Sequence, residues 1–382
     1  MLELPPLALY VHLPWCVRKC PYCDFNSHQI DGPIPEADYL AALLRDLDRE
    51  LPWVQGRKLT SVFFGGGTPS LVSATMIGNL LDQVAHRIGM VDGAEITLEA
   101  NPGTAEADRF RGYRSAGVNR LSIGIQSFAD AALQHLGRIH SGMEGMRAVE
   151  LARAAGFARI NIDLMHGLPE QSEQAAMADL EQAIALDPGH ISWYQLTIEP
   201  NTAFYRRPPM LPEESMLDAI TERGTALLTA AGYRQYEVSA HARAGACSAH
   251  NRNYWEFGDY IGIGAGAHGK LTDPAEGRIL RRRKTRHPRH YLDAVDPCVA
   301  SDAIPDDELP LEFLMNALRL NDGVPARLFP SRTGLPLAAL QDHWQALADR
   351  ELLAPLGDRL SVTPRGHQLL DTVLGYWASA AR

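Results

Sequence analysis

The chain has 382 residues and a formal net charge of -10, and 46% of its residues are hydrophobic. This length fits a large domain with a smaller one, and the acidic balance argues against a general nucleic-acid binder. No apolar run approaches the roughly 18 residues of a membrane span, so we expect at most a peripheral membrane contact. The five cysteines are an odd number and three are grouped, which favours a reducing cytoplasm over a disulfide framework.

Short apolar runs alternate with amphipathic helical segments through the first 240 residues. Strands are predicted at 7–13, 61–64, 95–100, 120–125, 159–165 and 190–198, with helices at 36–51, 73–88, 144–155 and 171–185. Repeated strand–loop–helix units predict a parallel sheet covered by helices. About six units are visible, fewer than the eight of a full barrel. Polar and glycine-rich residues follow the strands, at the edge where such folds place their sites.

The pattern changes after Gly232. The sequence predicts a strand at 233–242, a glycine-rich apolar run at 260–269, a basic cluster at 281–289 expected as a solvated loop, and a linker at 296–308. Helices at 311–320, 335–350 and 366–377 and a β-hairpin at 352–362 follow, an order that resembles a winged helix. We therefore expect a barrel at 1–240, a connecting segment at 241–300 and a small α+β domain at 301–382, used for packing or partner contact.

The most informative motif is a C-x3-C-x2-C run formed by Cys16, Cys20 and Cys23 after the first predicted strand. Three thiolates this close suit an iron–sulfur cluster, and a four-iron cluster held by three ligands keeps one iron open for a small molecule. The alternatives are a disulfide with a spare thiol, or a zinc site completed by His12 or His28. Zinc usually takes four ligands from two C-x2-C-like pairs, and the sequence has no second pair.

With Tyr22 just before the last cysteine, this run resembles the signature of the radical S-adenosylmethionine (SAM) superfamily. The resemblance implies an α/β fold, a partial (β/α)6 barrel, with a [4Fe-4S] cluster whose open iron chelates SAM. An electron from the cluster, supplied by an electron donor, then cleaves SAM to methionine and a 5′-deoxyadenosyl radical. The turn Gly65-Gly66-Gly67 matches the superfamily loop that holds the amino group of SAM, because glycines allow a close backbone approach.

Further motifs make the resemblance more specific. The chain contains Tyr-x-His-x-Pro-Trp-Cys, Pro-Tyr-Cys-Asp-Phe, GGGTPS, Glu-Ala-Asn-Pro, IGIQSF and Asp-Leu-Met-x-Gly-Leu-Pro. Together they resemble the oxygen-independent coproporphyrinogen III oxidase family over nearly the whole chain. Carried across the matching motifs, the SAM contacts of that family are Tyr10, Gly66, Gly67, Thr68 and Glu99, and for a second SAM Tyr22, Gly67, Thr68, Gln126, Arg138 and Asp163. For the strand-end polar residues, capping or loop hydrogen bonding is the alternative.

Three features distinguish the two branches of this family. The oxidases carry a further cysteine where this chain has Phe25, and an N-terminal extension that does not precede the cysteine loop here. The heme chaperones carry the motif HNxxYW, which this chain has at 250–255. The resemblance therefore implies a chaperone that binds heme and passes it to an acceptor protein, with coproporphyrinogen III oxidase as the alternative. A radical SAM enzyme that modifies RNA or protein has no supporting motif.

His250 is the candidate heme ligand, since a neutral imidazole binds heme iron. The alternative is a hydrogen-bonded histidine beside two core aromatic residues. Cys247 is either a second soft ligand or a plain buried thiol, and the basic cluster at 281–289 is a candidate partner of the heme propionates. Cys298 has no evident role.

Overall fold

The computed structural model describes residues 2–104 and 107–378. Its strands are β1 (Leu7–Leu13), β2 (Trp15–Cys16), β3 (His28–Gln29), β4 (Leu59–Gly66), β5 (Met90–Ala100), β6 (Arg120–Gln126), β7 (Arg159–His166), β8 (Gly189–Gln195), β9 (Arg234–Glu237), β10 (Ala240–Ala242), β11 (Asp259–Ile263), β12 (His268–Asp273), β13 (Arg278–Lys284), β14 (Cys298–Ala303), β15 (Val324–Pro325) and β16 (Arg359–Leu360).

The α-helices are α1 (Glu36–Glu50), α2 (Ala74–Arg87), α3 (Ala107–Ser115), α4 (Asp130–His135), α5 (Gly142–Ala154), α6 (Glu173–Leu186), α7 (Ala203–Arg206), α8 (Glu214–Ala230), α9 (Ala249–Trp255), α10 (Pro288–Asp293), α11 (Leu309–Ala317), α12 (Leu328–Thr333), α13 (Gln341–Ala348), α14 (Pro364–Gln368) and α15 (Leu370–Ala378). Every one of these helices is too short or too polar to cross a membrane.

The main sheet is a partial barrel with six consecutive parallel strands. Its strand order is β14-β13-β12-β11-β1-β4-β5-β6-β7-β8-β10-β9. Strands β1 and β4 to β8 pair in parallel along the chain, and β11 adds a further parallel strand beside β1. Helices connect the parallel strands, as the alternating pattern predicts. The predicted (β/α)6 barrel is therefore confirmed, and its carboxyl edge holds the cysteine loop after β1.

The core explains why the strands read as continuous apolar runs. Six of the seven residues of β1 are buried, and β6 and β7 are similar, as expected for strands covered on both sides. Serine side chains cap α2, α5 and α6, and Ser141 with Glu144 forms a complete capping box. Since caps satisfy the free N–H groups of a first turn, these helix starts coincide with the predicted ones to within a few residues.

Two segments predicted as irregular are strands. The basic cluster begins within β13, and the predicted linker contains β14, which pairs antiparallel with β13. Arg281 bonds Glu312, Arg282 bonds Glu50 at 2.9 Å, and Lys284 is buried against Asp46. The prediction of a solvated loop was wrong because carboxylates from distant elements neutralise these cations. The same pairing occupies Arg281, Arg282 and Lys284, whereas Arg286 lies beyond β13 and is exposed.

A second core lies in the C-terminal part of the chain, where α11, α12, α13 and α15 pack around Phe313, Trp344 and Trp377. The predicted hairpin at 352–362 is present as a short antiparallel pairing, in which Leu353 meets Val362 in a bridge and the Ala354 N–H donates to the Ser361 carbonyl at 3.1 Å, while β16 also pairs with β15. The predicted strand at 233–242 is split into β9 and β10. The winged-helix assignment and the three-segment division stay predictions.

Candidate functional site

Each thiol of the cysteine run has a polar neighbour. Thr68 donates from its Oγ1 to the Sγ of Cys16 at 3.5 Å, and the Nη1 of Arg138 lies 3.6 Å from the Sγ of Cys20. The Oγ of Ser27 lies 3.7 Å from the Sγ of Cys23. All three cysteines are free thiols, so the alternative of a disulfide is not seen. Donors of this kind stabilise a thiolate, the form that binds metal.

The three cysteines do not converge on a single point. Among residues 2–104 and 107–378, no group of three or more His, Cys, Asp or Glu side chains has the arrangement of a one-ion metal site. That result disfavours zinc, which draws its ligands to one centre. An iron–sulfur cluster binds each cysteine through a different iron, so its thiolates need not converge. His12 is also unsuited to complete a zinc site, because its Nδ1 meets the Tyr10 hydroxyl and its Nε2 meets the Asn26 carbonyl, each at 2.9 Å.

The glycine turn packs directly against the chain that leads into the cysteine loop. A Cβ on Gly66, where φ is +114°, would lie 2.6 Å from a ring carbon of His12. A Cβ on Gly67 would lie 2.4 Å from the carbonyl oxygen of Trp15. Amide N–H groups of Gly67 and Thr68 donate to Leu13 and Trp15 carbonyls at 2.8 and 2.7 Å. The glycines are thus required by protein packing, a different reason from the ligand approach that the sequence analysis assumed.

We expect Gly66→Val to destabilise the protein by roughly 2–5 kcal/mol, because the substitution combines a clash with His12 and a strained backbone. The displaced turn should also weaken SAM binding. Chemical denaturation measures the first effect, and SAM-induced changes in the spectrum of the reduced protein measure the second. Gly56→Val is the matched control, since Gly56 has φ +75° with nothing within 4 Å of its Cβ. Equal losses in the two variants would contradict the packing argument.

The inside of the barrel carries a layer of partly accessible residues. Each of the six parallel strands contributes such a residue among buried neighbours: Tyr10, Phe63, Glu99, Gly124, Asp163 and Ser192. Most of these residues lie near the middle of their strands, and Glu99 lies one residue before the end of β5.

Two carboxyl groups in this layer are unusually hard to ionise. Burial, and then the nearby Asp163, raise the pKa of Glu99 to about 8, although Glu99 accepts a bond from the Gly66 N–H at 3.3 Å. Burial also raises the pKa of Asp163, against bonds from Asn161 at 2.7 Å and Ser122 at 3.1 Å. Such shifts indicate too little compensating positive charge. A cationic ligand would supply it, and the ammonium and sulfonium groups of SAM fit this requirement.

Arg138 links the cysteine loop to the barrel. Its Nη2 donates to the Gly124 carbonyl at 2.6 Å, its Nη1 reaches Cys20, and its buried Nε has no hydrogen-bond partner among the described residues. Gln126 adopts φ +73° and accepts from the Tyr194 hydroxyl at 2.8 Å. Tyr22 packs beside Phe204 and close to Arg138. An unpartnered guanidinium N–H suits the carboxylate of a ligand.

His250 is buried and hydrogen-bonded inside the protein. It is 2% exposed, its Nδ1 lies 3.2 Å from the Ser61 Oγ, and its Nε2 lies 3.2 Å from the Tyr254 hydroxyl. Its ring stacks on Phe63 with centroids 4.7 Å apart, and burial lowers its pKa to about 3. Neither nitrogen is free to bind iron in this conformation. This geometry matches the hydrogen-bonded alternative, and the heme-ligand role of His250 stays a prediction.

Comparison with known proteins decides the family. A model of the radical SAM superfamily matches residues 10–183, and a model of the HemN C-terminal domain matches residues 304–369. The protein named heme chaperone HemW of Escherichia coli is 51% identical over 379 residues, which cover 98% of both chains. The chain belongs to the HemW family. The HemW of Haemophilus influenzae is likewise 51% identical over 378 residues, covering 98% of both chains.

A solved structure of lower identity agrees with the HemW-family fold. It is described as coproporphyrinogen III oxidase (HemN) from Escherichia coli, a radical SAM enzyme. It has a TM-score of 0.82 at 23% identity and covers 98% of this chain and 90% of its own. This likeness supports the fold alone.

Sequence analysis missed two residues that organise the site of this HemW-family chain. Asn26 donates from its Nδ2 to the Ala265 and Arg286 carbonyls at 2.9 and 2.8 Å, and so anchors the cysteine loop. Tyr194 joins Gln126 inside the barrel. For Tyr194 the available signal was a polar aromatic residue near the end of a predicted strand. For Asn26 the sequence had no signal, because both acceptors lie more than 200 residues away.

Proposed function

We propose that this protein is a heme chaperone that binds heme and delivers it to an acceptor protein, and that it carries a [4Fe-4S] cluster and SAM. The observation that carries the proposal is 51% identity over the full length to a protein named heme chaperone HemW. Membership of the radical SAM superfamily supports the cluster and SAM. A reducing cytoplasm suits the five free thiols, and an electron donor is needed to reduce the cluster.

Three thiolates hold the cluster in this proposal: Cys16, Cys20 and Cys23. When bound, the cluster supplies one electron and an open iron site. Thr68 donates to the Cys16 sulfur at 3.5 Å and Arg138 lies 3.6 Å from the Cys20 sulfur, and contacts of this kind stabilise cluster-bound thiolates.

The proposed SAM contacts divide by charge. Glu99 and Asp163 accept from the positive groups of SAM, and Arg138 pairs with its carboxylate. The remaining contacts are neutral: Tyr10, Tyr22, Gly66, Gly67, Thr68 and Gln126. Contacts already present support this set, since the Gly66 N–H meets Glu99 and Thr68 meets Cys16.

Coproporphyrinogen III oxidase is the second candidate function, because the HemN fold covers 98% of this chain. Phe25 counts against it, since the family resemblance places a further cysteine there in the oxidases. Phe25 is 62% exposed, so its side chain is available to a ligand rather than used in the core.

We expect purified protein to bind hemin with a shift of the Soret band, and to leave coproporphyrinogen III unconverted. The second experiment is anaerobic, with reconstituted cluster, SAM and a reductant, and it measures protoporphyrinogen IX. The Escherichia coli oxidase serves as the positive control. Robust oxidase turnover would overturn the proposal in favour of the second candidate. Absence of hemin binding would remove the chaperone function as well.

A further inference from the structure

Three histidines form a row beside the cysteine loop. The ring centroids of His28 and His287 are 5.4 Å apart, and those of His287 and His290 are 4.9 Å apart. His28 lies on β3, and its backbone N–H donates to the Pro14 carbonyl at 2.7 Å. His287 caps the N-terminus of α10, where its Nδ1 accepts from the Arg289 N–H at 3.3 Å. Two distant segments therefore bring these imidazoles together.

The row borders an open cavity of about 440 Å³, a volume in the range of ligand pockets. Its lining joins the cysteine loop to two other segments: Lys19, Cys23, Asp24, Phe25, Asn26, Ser27, His28, Pro200, Asn201, Arg286 and His287. The walls combine an exposed aromatic ring at Phe25, an exposed guanidinium at Arg286 and an imidazole at His28. Asn26 fixes the Arg286 backbone while its side chain stays exposed.

The Nε2 atom of His28 is buried and has no hydrogen-bond partner among the described residues. A buried nitrogen without a hydrogen-bond partner destabilises the folded protein unless a ligand binds to it. The neighbouring His287 ring packs edge-on against it and is exposed at the surface, so this ring can turn away. His287 is less suited to bind iron, because its Nδ1 already accepts a bond and its Nε2 then carries the proton.

The side chains that line the cavity restrict the class of ligand that it can bind. No three of the described side chains converge on a metal ion, so a bare divalent cation lacks a ligand set. An iron already held by a planar ring needs only an axial nitrogen. An aromatic side chain suits a flat apolar ring, and a guanidinium suits its carboxylates. Burial lowers the pKa of His28, which keeps the ring in the neutral form that binds metal.

We propose that this cavity is the heme-binding site, with His28 as the axial ligand, Phe25 against the porphyrin face and Arg286 paired with a propionate. This proposal rests on the proposed chaperone function, for which it identifies the heme-binding residues. It requires the exposed His287 ring to turn away from His28, whereas ligation by His250 would break the bond to Tyr254 inside the core. It also gives Phe25 a role at the position where the oxidases have a cysteine.

The test is a hemin titration of the full chain, followed by the Soret band. We expect His28→Ala to weaken hemin binding at least about tenfold, a loss of one strong contact, and to shift the band. Binding of iron-free protoporphyrin IX should stay unchanged. Arg286→Glu should weaken binding of hemin and of the iron-free porphyrin, but not of hemin dimethyl ester. His287→Ala and the exposed control His135→Ala should retain hemin binding within about threefold.

Circular dichroism and the absorption of the reconstituted cluster confirm that each variant is folded. Unchanged hemin affinity and Soret band in folded His28→Ala would overturn the assignment, while wild-type binding would still support the chaperone function. Equal loss of hemin and iron-free porphyrin in His28→Ala would overturn the role of His28 as iron ligand. A wild-type protein that binds no hemin would remove both proposals.

Discussion

Replacement of Cys16, Cys20 and Cys23 by alanine is expected to abolish the iron–sulfur cluster. The anaerobically reconstituted variant should show neither the broad visible absorption of a [4Fe-4S] centre nor an EPR signal after reduction. The reason is that these thiolates are the only covalent links between protein and cluster in the proposal, and removing them leaves sulfide and iron without ligands. Iron and sulfide analysis should confirm the loss.

Cys298→Ala is the matched control for this experiment. Its thiol is also free and partly buried, but its Sγ meets the Ala300 carbonyl at 3.3 Å on β14, away from the cysteine loop. We expect the Cys298→Ala variant to bind the same amount of iron and sulfide as the unmodified protein. Stoichiometric zinc in the purified protein, with no cluster after reconstitution, would disprove the iron–sulfur assignment.

Glu99→Gln is expected to stabilise the protein while it abolishes the response to SAM. The pKa of Glu99 is raised to about 8 in the folded protein, above its ordinary value of 4.5. Between these two pH values the unfolded carboxyl is ionised and the folded one is protonated, so folding costs free energy that grows with pH. Glutamine removes that cost. The gain should be near zero at pH 4.5, rise toward pH 8 to at most about 5 kcal/mol, and then level off.

Urea denaturation at several pH values measures the gain, and the EPR spectrum of the reduced cluster with saturating SAM measures the functional loss. Asp259→Asn is a control for which we expect the opposite effect, a loss of stability. Its carboxylate bonds Lys270 at 3.0 Å and Arg57 at 2.8 Å, and these cations lower its pKa against burial. Removing the Asp259 carboxylate leaves the buried Lys270 without a counter-charge and should destabilise the protein by about 3–5 kcal/mol. A Glu99→Gln protein that is less stable at pH 8 would contradict the electrostatic argument.

The sequence predicts the barrel well because its strands are local apolar runs. Polar residues directly after such runs, including Glu99, Gln126 and Asp163, had to share the carboxyl edge of a parallel sheet. Their chemistry could therefore be inferred without coordinates. The raised pKa of Glu99 could not be inferred, since it depends first on burial inside the barrel and then on Asp163 two strands away.

The errors have a common physical cause, which is pairing over long distances in the chain. The basic residues of β13 are ordered by Glu50, Asp46 and Glu312, and none of these partners lies in the local sequence. The heme-ligand role of His250 stays a prediction, although Ser61 and Tyr254 meet its two nitrogens in this structure. The local sequence shows that such a residue is charged or aromatic. It does not show which distant side chain will form its ion pair or hydrogen bond.

The parallel pairing of β1 with β11 also sets an order of events during synthesis. Leu7 pairs with Asp259 and Val11 with Ile263, so the first strand gains its second neighbour only after about 250 more residues have been made. At ribosomal rates of about 5–20 residues per second this delay is roughly 13–50 s. Asn26 likewise waits for Ala265 and Arg286. On the nascent chain the cysteine loop therefore has its contacts with the Gly67–Thr68 turn but lacks those made through Asn26, and the complete loop forms only after most of the polypeptide has emerged.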